Sequence, residues 1–265
     1  MKSFKDKVVW ITGASSGIGE RLVYELAKRK AKLIISSNQE EELERVKKNC
    51  MFSEQDILVL PWDLTAHDSI DEKTKIVLNK FNTIDLLINN GGVSSRALVK
   101  DTSFSTYKKL MDINFFGAVA ITKSVLPVMI KNKSGHIVSM SSAAGKIGTP
   151  KRSSYAASKH ALHGFFDSLR AEVFNDNINI TLICPGYIKT NISFHALTGE
   201  GNLYNKMDKN QEKGMLPEVL AKKILKAVEK EKEEIWIGGK EILGIYIKRF
   251  FPRLISKIIR KQAPK

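Results

Sequence analysis

Cysteine is nearly absent: the 265-residue chain holds only Cys50 and Cys184. Their separation excludes a metal knuckle or a CxxC redox pair, and a disulfide is not expected in a reducing compartment. Long apolar runs are missing too. No stretch of about 18 uncharged apolar residues occurs, which argues against a membrane-spanning helix. The opening MKSFKDKVVWITGAS is too briefly apolar for a signal peptide and leads straight into a glycine-rich turn, as the first strand of a cytoplasmic protein would. Acidic residues are outnumbered, 28 against 43 basic, for a net charge of +15. That excess suits nucleic acid, an anionic membrane or a merely lysine-rich proteome, and composition chooses none of them. It is concentrated at one place, because no acidic residue follows Glu241. There is no internal repeat, low-complexity tract or interdomain linker. One domain over 1–240 is expected, followed by a basic amphipathic extension over 241–265.

What the chain does have is alternation. Short β-branched runs predict strands over 7–11, 32–36, 57–61, 85–88, 136–140, 178–183 and 234–237. Helical spacing predicts helices over 17–30, 40–49, 68–81, 106–131, 155–175 and 217–230. This pattern predicts a doubly wound α/β domain, a mostly parallel seven-stranded sheet with helices on both faces and a ligand crevice where strand order reverses. The segment 187–216 follows a Pro-Gly pair and has no assigned element, so it reads as a substrate lid or as a mobile surface loop.

Between the first strand and helix stands Thr12-Gly13-Ala14-Ser15-Ser16-Gly17-Ile18-Gly19. Glycines there let the backbone approach a pyrophosphate, and the helix N-terminus offers free N–H groups and partial positive charge. Alone, such a run is also what an ordinary turn looks like. Asp63 ends the third strand, where it could accept from an adenine amino group or cap a helix. Tyr155 and Lys159 stand at i and i+4, on one helix face. Most such pairs are solvated. A tyrosine acting near neutrality needs its phenolate favoured by about three pH units, roughly 4 kcal/mol, which a neighbouring cation and an oxidised nicotinamide can supply. Ser139-Met140-Ser141-Ser142 delivers hydroxyls toward the same sheet edge, and Asn114 is an amide inside a predicted helix.

Taken in order, TGASSGIG (12–19), WDLT (62–65), NNGG (89–92), Asn114, SMSS (139–142), YAASK (155–159) and PGYIKT (185–190) resemble the short-chain dehydrogenase/reductase family, nearly to Gly238. ELERVKKNC, DILVLPWDLT and YAASKHALHGFF are similar to the family member 7 group and its bacterial relatives. Gly92 stands where the family usually has alanine, as it does in that group. The resemblance implies a catalytic set of Asn114, Ser142, Tyr155 and Lys159. Tyr155 moves the proton, Lys159 lowers its pKa and holds the ribose, Ser142 bonds the carbonyl, and Asn114 holds a water. Ser142 is preferred to Ser141 because it lies 13 residues before Tyr155.

Cofactor contacts are expected at Gly13, Ser15, Ser16, Gly17, Ile18, Gly19, Ser37, Asn38, Asp63, Leu64, Asn90, Gly91, Tyr155, Lys159, Pro185, Gly186, Ile188 and Thr190. Ser36-Ser37-Asn38-Gln39 lacks the carboxylate that binds free ribose hydroxyls, so NADP(H) is expected ahead of NAD(H). The implied substrate is a small apolar carbonyl or alcohol. No metal and no nucleic acid are implied, and the chain is expected to form a homodimer or homotetramer. Two alternatives stand beside this reading: a 3-oxoacyl-carrier-protein reductase, and a cofactor-binding regulator without turnover. Such reductases usually end soon after the last strand. In the extension, Phe251, Leu254, Ile255, Ile258 and Ile259 recur at helical spacing beside Arg253, Lys257, Arg260 and Lys261. That stripe either docks on an anionic membrane surface or packs on the domain or a second subunit.

Overall fold

A computed structural model describes residues 1–50 and 56–262, so the last three residues of the extension lie outside the description. Seven strands are present: β1 (Val8–Thr12), β2 (Lys32–Ser36), β3 (Ile57–Val59), β4 (Leu86–Asn89), β5 (Gly135–Met140), β6 (Ile178–Pro185) and β7 (Glu234–Ile237). They form one sheet in the order β3-β2-β1-β4-β5-β6-β7, with every neighbouring pair parallel. Period-two alternation divides the strands between two cores. Val9 and Ile11 join Leu33, Ile35, Leu86 and Ile88 on one face, while Val8 and Trp10 join Ile34, Leu87 and Ile137 on the other.

The helices are α1 (Gly17–Lys28), α2 (Glu40–Lys48), α3 (Ile70–Phe81), α4 (Phe104–Met111), α5 (Gly117–Asn132), α6 (Ser153–Glu172), α7 (Lys209–Glu212), α8 (Pro217–Glu229), α9 (Leu243–Phe250) and α10 (Pro252–Arg260). The first face is covered by α1, α2 and α8 through residues such as Leu22, Leu43 and Ile224. The second is covered by α3, α5 and α6 through Val77, Val125 and Phe166. From β1 the chain runs outward through β2 and β3, and β4 returns to the other side of β1. The crevice therefore falls at the carboxyl ends of β1 and β4.

Four departures from the sequence expectations have physical causes. The helix expected over 106–131 starts at Phe104, because Ser103 Oγ accepts the Thr106 N–H at 3.2 Å and caps it. It also contains a π-helical turn, Asp112–Phe116. The whole stretch Phe104–Asn132 is long and apolar enough to cross a membrane by length and composition, but α5 buries Ile121, Val125 and Met129 in the second core. Residues 187–216, expected without an assigned element, carry local structure. Short bridges pair Ile188 with Met215 and Leu197 with both Ser95 and Leu203, and Ala196 and Leu197 are buried. The extension is two helices rather than one: Pro252 carries no N–H to continue α9, and it starts α10 instead.

Candidate active site

Two cavities adjoin at the carboxyl edge of the sheet. One, about 520 Å³, runs over the glycine turn. Gly13 and Gly17 take φ of +63° and +57°, a left-handed conformation that favours glycine. A side chain on Gly13 would place its Cβ 2.6 Å from Gly91 Cα, so the ends of β1 and β4 meet only because both residues are glycine. Asn90 locks this contact, its Nδ2 donating to the carbonyls of Thr12 and Gly13 at 3.0 and 3.1 Å. Ser16 precedes α1 without a capping hydrogen bond from its side chain, so it leaves the first N–H groups of the helix to an outside acceptor.

The groove brings together Gly13, Ser15, Ser16, Gly17, Ile18, Ser37, Asn38, Asp63, Leu64, Asn90, Gly91 and Thr190. Gly19 is not among its walls; its role is close packing, since a Cβ there would lie 2.0 Å from Gly13 O. Asp63 Oδ1 accepts both the backbone N–H and the hydroxyl of Thr65, at 2.8 and 2.7 Å. Burial raises the Asp63 pKa, but the bonds from Thr65 and Asn38 with the charge of Lys109 outweigh it, and the carboxyl stays below its ordinary range. Asp63 thus fixes a turn while it borders the groove.

The second cavity, about 450 Å³, is bordered by Ser142, Tyr155, Lys159, Pro185, Gly186 and Ile188. It shares Ile18, Asn90, Gly92, Ile192 and Thr190 with the groove, so the two form one crevice. Tyr155 and Lys159 are buried on α6, with the Lys159 ammonium 5.9 Å from the Tyr155 ring centre. Lys159 Nζ donates to Met140 O at 2.7 Å, tying the helix to the end of β5. Burial lowers the Lys159 pKa to about 8.

The two adjacent serines are used differently. Ser141 Oγ donates to Lys159 O at 3.2 Å and lies 2.9 Å from His163 Nε2. Ser142 Oγ accepts the Ala144 N–H at 3.1 Å, which leaves its own hydrogen free for a carbonyl. Asn114 sits at the centre of the π turn. Its Oδ1 accepts the Val93 N–H at 2.8 Å, and its Nδ2 donates to Val93 O and Ser158 Oγ, each at 2.9 Å. The position of Gly92 lies between Asn114 and Lys159: a Cβ there would be 2.8 Å from Asn114 Oδ1 and 3.4 Å from Lys159 Nζ.

Three contributors escaped the sequence reading. Arg152 borders the cavity with its guanidinium 5.3 Å from the Tyr155 ring centre, held by Ser94 Oγ at 2.9 Å. Its place three residues before Tyr155 was the available signal. Gln211 donates to Ile188 O at 2.6 Å and fastens the segment that carries Thr190. Glu241 Oε1 accepts the N–H groups of Tyr187 and Gly239, each at 3.0 Å, and pins the start of the C-terminal helices to the cavity wall. His163, Cys184 and Glu234 bring possible ligand atoms within 4.8 Å, but Lys146 Nζ, 3.0 Å from Glu234, already supplies the positive charge there.

The description "short chain dehydrogenase" matches residues 7–200. The chain belongs to this family. Among its relatives, "Dehydrogenase/reductase SDR family protein 7-like" of Drosophila melanogaster is 44% identical over 98% of this chain and 81% of its own length. "Dehydrogenase/reductase SDR family member 7" of Homo sapiens is 42% identical over 98% of this chain and 78% of its own. A short-chain dehydrogenase/reductase from Burkholderia phymatum, solved with NAD, superposes with a TM-score of 0.84 over 96% of each chain at 20% identity. An alcohol dehydrogenase from Thermococcus sibiricus, solved with 5-hydroxy-NADP, gives 0.76 over 89% of this chain and 97% of its own at 22% identity. These two solved chains share the fold.

Proposed function

We propose that the chain interconverts a carbonyl and an alcohol on a small apolar substrate with NADP(H) or NAD(H). The observation that carries this reading is the shared crevice, where the phenol of Tyr155, the buried ammonium of Lys159 and the free hydroxyl hydrogen of Ser142 border one apolar cavity continuous with the glycine groove. When bound, the nicotinamide supplies or takes up the hydride. Gly13, Ser15, Ser16, Gly17 and the N-terminus of α1 would hold its phosphates, and the left-handed glycines leave the room that a Cβ would fill.

In carbonyl reduction, Ser142 Oγ donates to the substrate oxygen, and the Tyr155 hydroxyl gives its proton to that oxygen; in oxidation Tyr155 takes it back. Lys159 and Arg152 place two cations beside the Tyr155 ring. Asn114 fixes the Val93 backbone and ties the π turn to Ser158 on α6. Self-association as a homodimer or homotetramer and a peripheral contact of the basic extension with an anionic membrane belong to the same reading. A panel of apolar ketones and secondary alcohols, assayed by nicotinamide absorbance with each cofactor, tests it. The absence of turnover across the panel, with cofactor binding intact, would turn the reading toward a non-catalytic binder.

The cofactor preference has its own test. Among the described residues Asp63 is the one carboxylate bordering the groove, and Ser37 and Asn38 offer hydroxyl and amide donors to a 2′-phosphate. The clamp is modest, because Arg45, which donates to Ser15 O at 3.1 Å, is already paired with Glu20 and Glu42. NADPH is expected to bind several-fold more tightly than NADH in a fluorescence titration, and tighter NADH would reverse the assignment.

A further inference from the structure

The C-terminal helices have two apolar faces, not one. Leu243, Ile247, Ile255, Ile258 and Ile259 border the catalytic cavity together with Tyr155 and Ser142. Ile245 and Ile255 are buried, and Tyr246 packs edge-on against Trp236 at 4.8 Å. Glu241 fastens the root of this wall, and Lys248 donates to Lys146 O near its middle. Toward solvent, Phe250, Phe251 and Leu254 are 70%, 63% and 49% exposed, a concentration of large apolar surface that folding alone leaves uncovered. Lys248, Arg249, Arg253, Lys257, Arg260 and Lys261 surround it, all exposed, and among the described residues none of them forms an ion pair with a carboxylate.

We propose that α9 and α10 form a lid whose outer face lies on an anionic lipid surface while its inner face closes the catalytic cavity, so that the substrate is an apolar ketone or secondary alcohol dissolved in the bilayer. The charge decides the occupant. A second copy of this basic chain would bring like charge to the same patch, whereas an anionic bilayer supplies both apolar depth for Phe251 and Leu254 and countercharge for the surrounding cations. One nine-residue helix, α10, serves both sides: Ile255 and Ile259 border the cavity, and Leu254 is exposed. Substrate class alone rests on the oxidoreductase reading; the docking surface does not.

The test uses the full chain with vesicles of phosphatidylcholine alone and of phosphatidylcholine with phosphatidylserine. The chain is expected to pellet with the anionic vesicles at low salt and to be released by high salt. R253Q/K257Q/R260Q, three exposed positions away from the cavity, is expected to weaken that partitioning by about a hundredfold. F251S/L254S is expected to abolish it, and NADPH titration checks that both variants are folded. Equal pelleting with neutral vesicles, no pelleting at all, or pelleting that neither variant changes overturns the membrane surface. If no chain pellets but F251S/L254S converts a dimer to a monomer, the second copy is the occupant. The lid is read separately, by turnover of a long-chain ketone carried in anionic vesicles against a water-soluble ketone. R253Q/K257Q/R260Q is expected to lose at least about tenfold on the vesicle-borne ketone and nothing on the soluble one. Equal rates on both overturn the lid. Failure of every chain on both ketones, with vesicle binding intact, overturns the oxidoreductase reading and leaves the docking surface standing.

Discussion

Tyr155→Phe is expected to lower turnover of any carbonyl substrate at least about a hundredfold while leaving NADPH affinity within a few-fold of the parent. The substitution removes one oxygen and leaves the ring between Arg152 and Lys159, where its face lies 5.3 Å and 5.9 Å from the two cations. Packing and groove are preserved, so the loss should fall on kcat rather than on cofactor binding. Steady-state assays with a parallel fluorescence titration check it. Near-parental turnover would move proton transfer to another group, and loss of NADPH binding would make Tyr155 a structural residue.

Lys159→Met is expected to separate activity from stability in opposite directions. The Lys159 ammonium is buried, and burial holds its pKa at about 8, below the usual lysine range. Between about pH 8 and the ordinary value near 10.5, the unfolded chain binds a proton that the folded chain lacks, so stability rises with pH through this window. Below pH 8 the folded protein keeps the buried charge, at a cost of about 3 kcal/mol before the bond to Met140 O offsets part of it. Methionine removes the charge. Urea unfolding should therefore show the variant more stable at pH 7, by roughly 1–3 kcal/mol, with the gain shrinking toward pH 10. Turnover should fall by about two orders of magnitude or more. In the parent, kcat/KM for reduction should decline on the alkaline side as Lys159 loses its proton near pH 8. A variant less stable at pH 7 than at pH 10, relative to the parent, would contradict this account of the buried ammonium.

Most of the fold was legible because its signals are local. VVWIT, KLIIS and INITLICP carry the β-branched runs of buried parallel strands, and all three lie within a residue or two of the expected spans. The crevice was legible from connectivity alone. Within it, the motif residues could be named, but not the bonds that separate Ser141 from Ser142, since those depend on His163 and Ala144 meeting the end of β5. Arg152 escaped because a cation on a helix entrance is usually solvated, and only tertiary packing turns this one onto Tyr155. Residues 187–216 looked loop-like because single bridges and buried residues such as Ser193 and Gln211 leave no periodic pattern. For the extension, the stripe was visible, whereas its division into a cavity face and a solvent face required the body of the domain.

The π turn at Asp112–Phe116 also sets a phase. Each residue advances a helix by about 100°, so one extra residue rotates everything beyond it by that amount. Leu110 on α4 and Ile121 on α5 stand eleven residues apart, about three ideal turns, so the extra residue offsets the two stripes: Ile121, Val125 and Met129 enter the second core, and Leu110 is buried outside it. The turn is the joint between these two phases, and Asn114 at its centre is bonded to Val93. Length is therefore constrained here as in no surface loop. An insertion or deletion between Phe104 and Asn132 would have to choose between the core register of α5 and the seat of Asn114, so descendants of this chain can lengthen or shorten elsewhere but not along this helix.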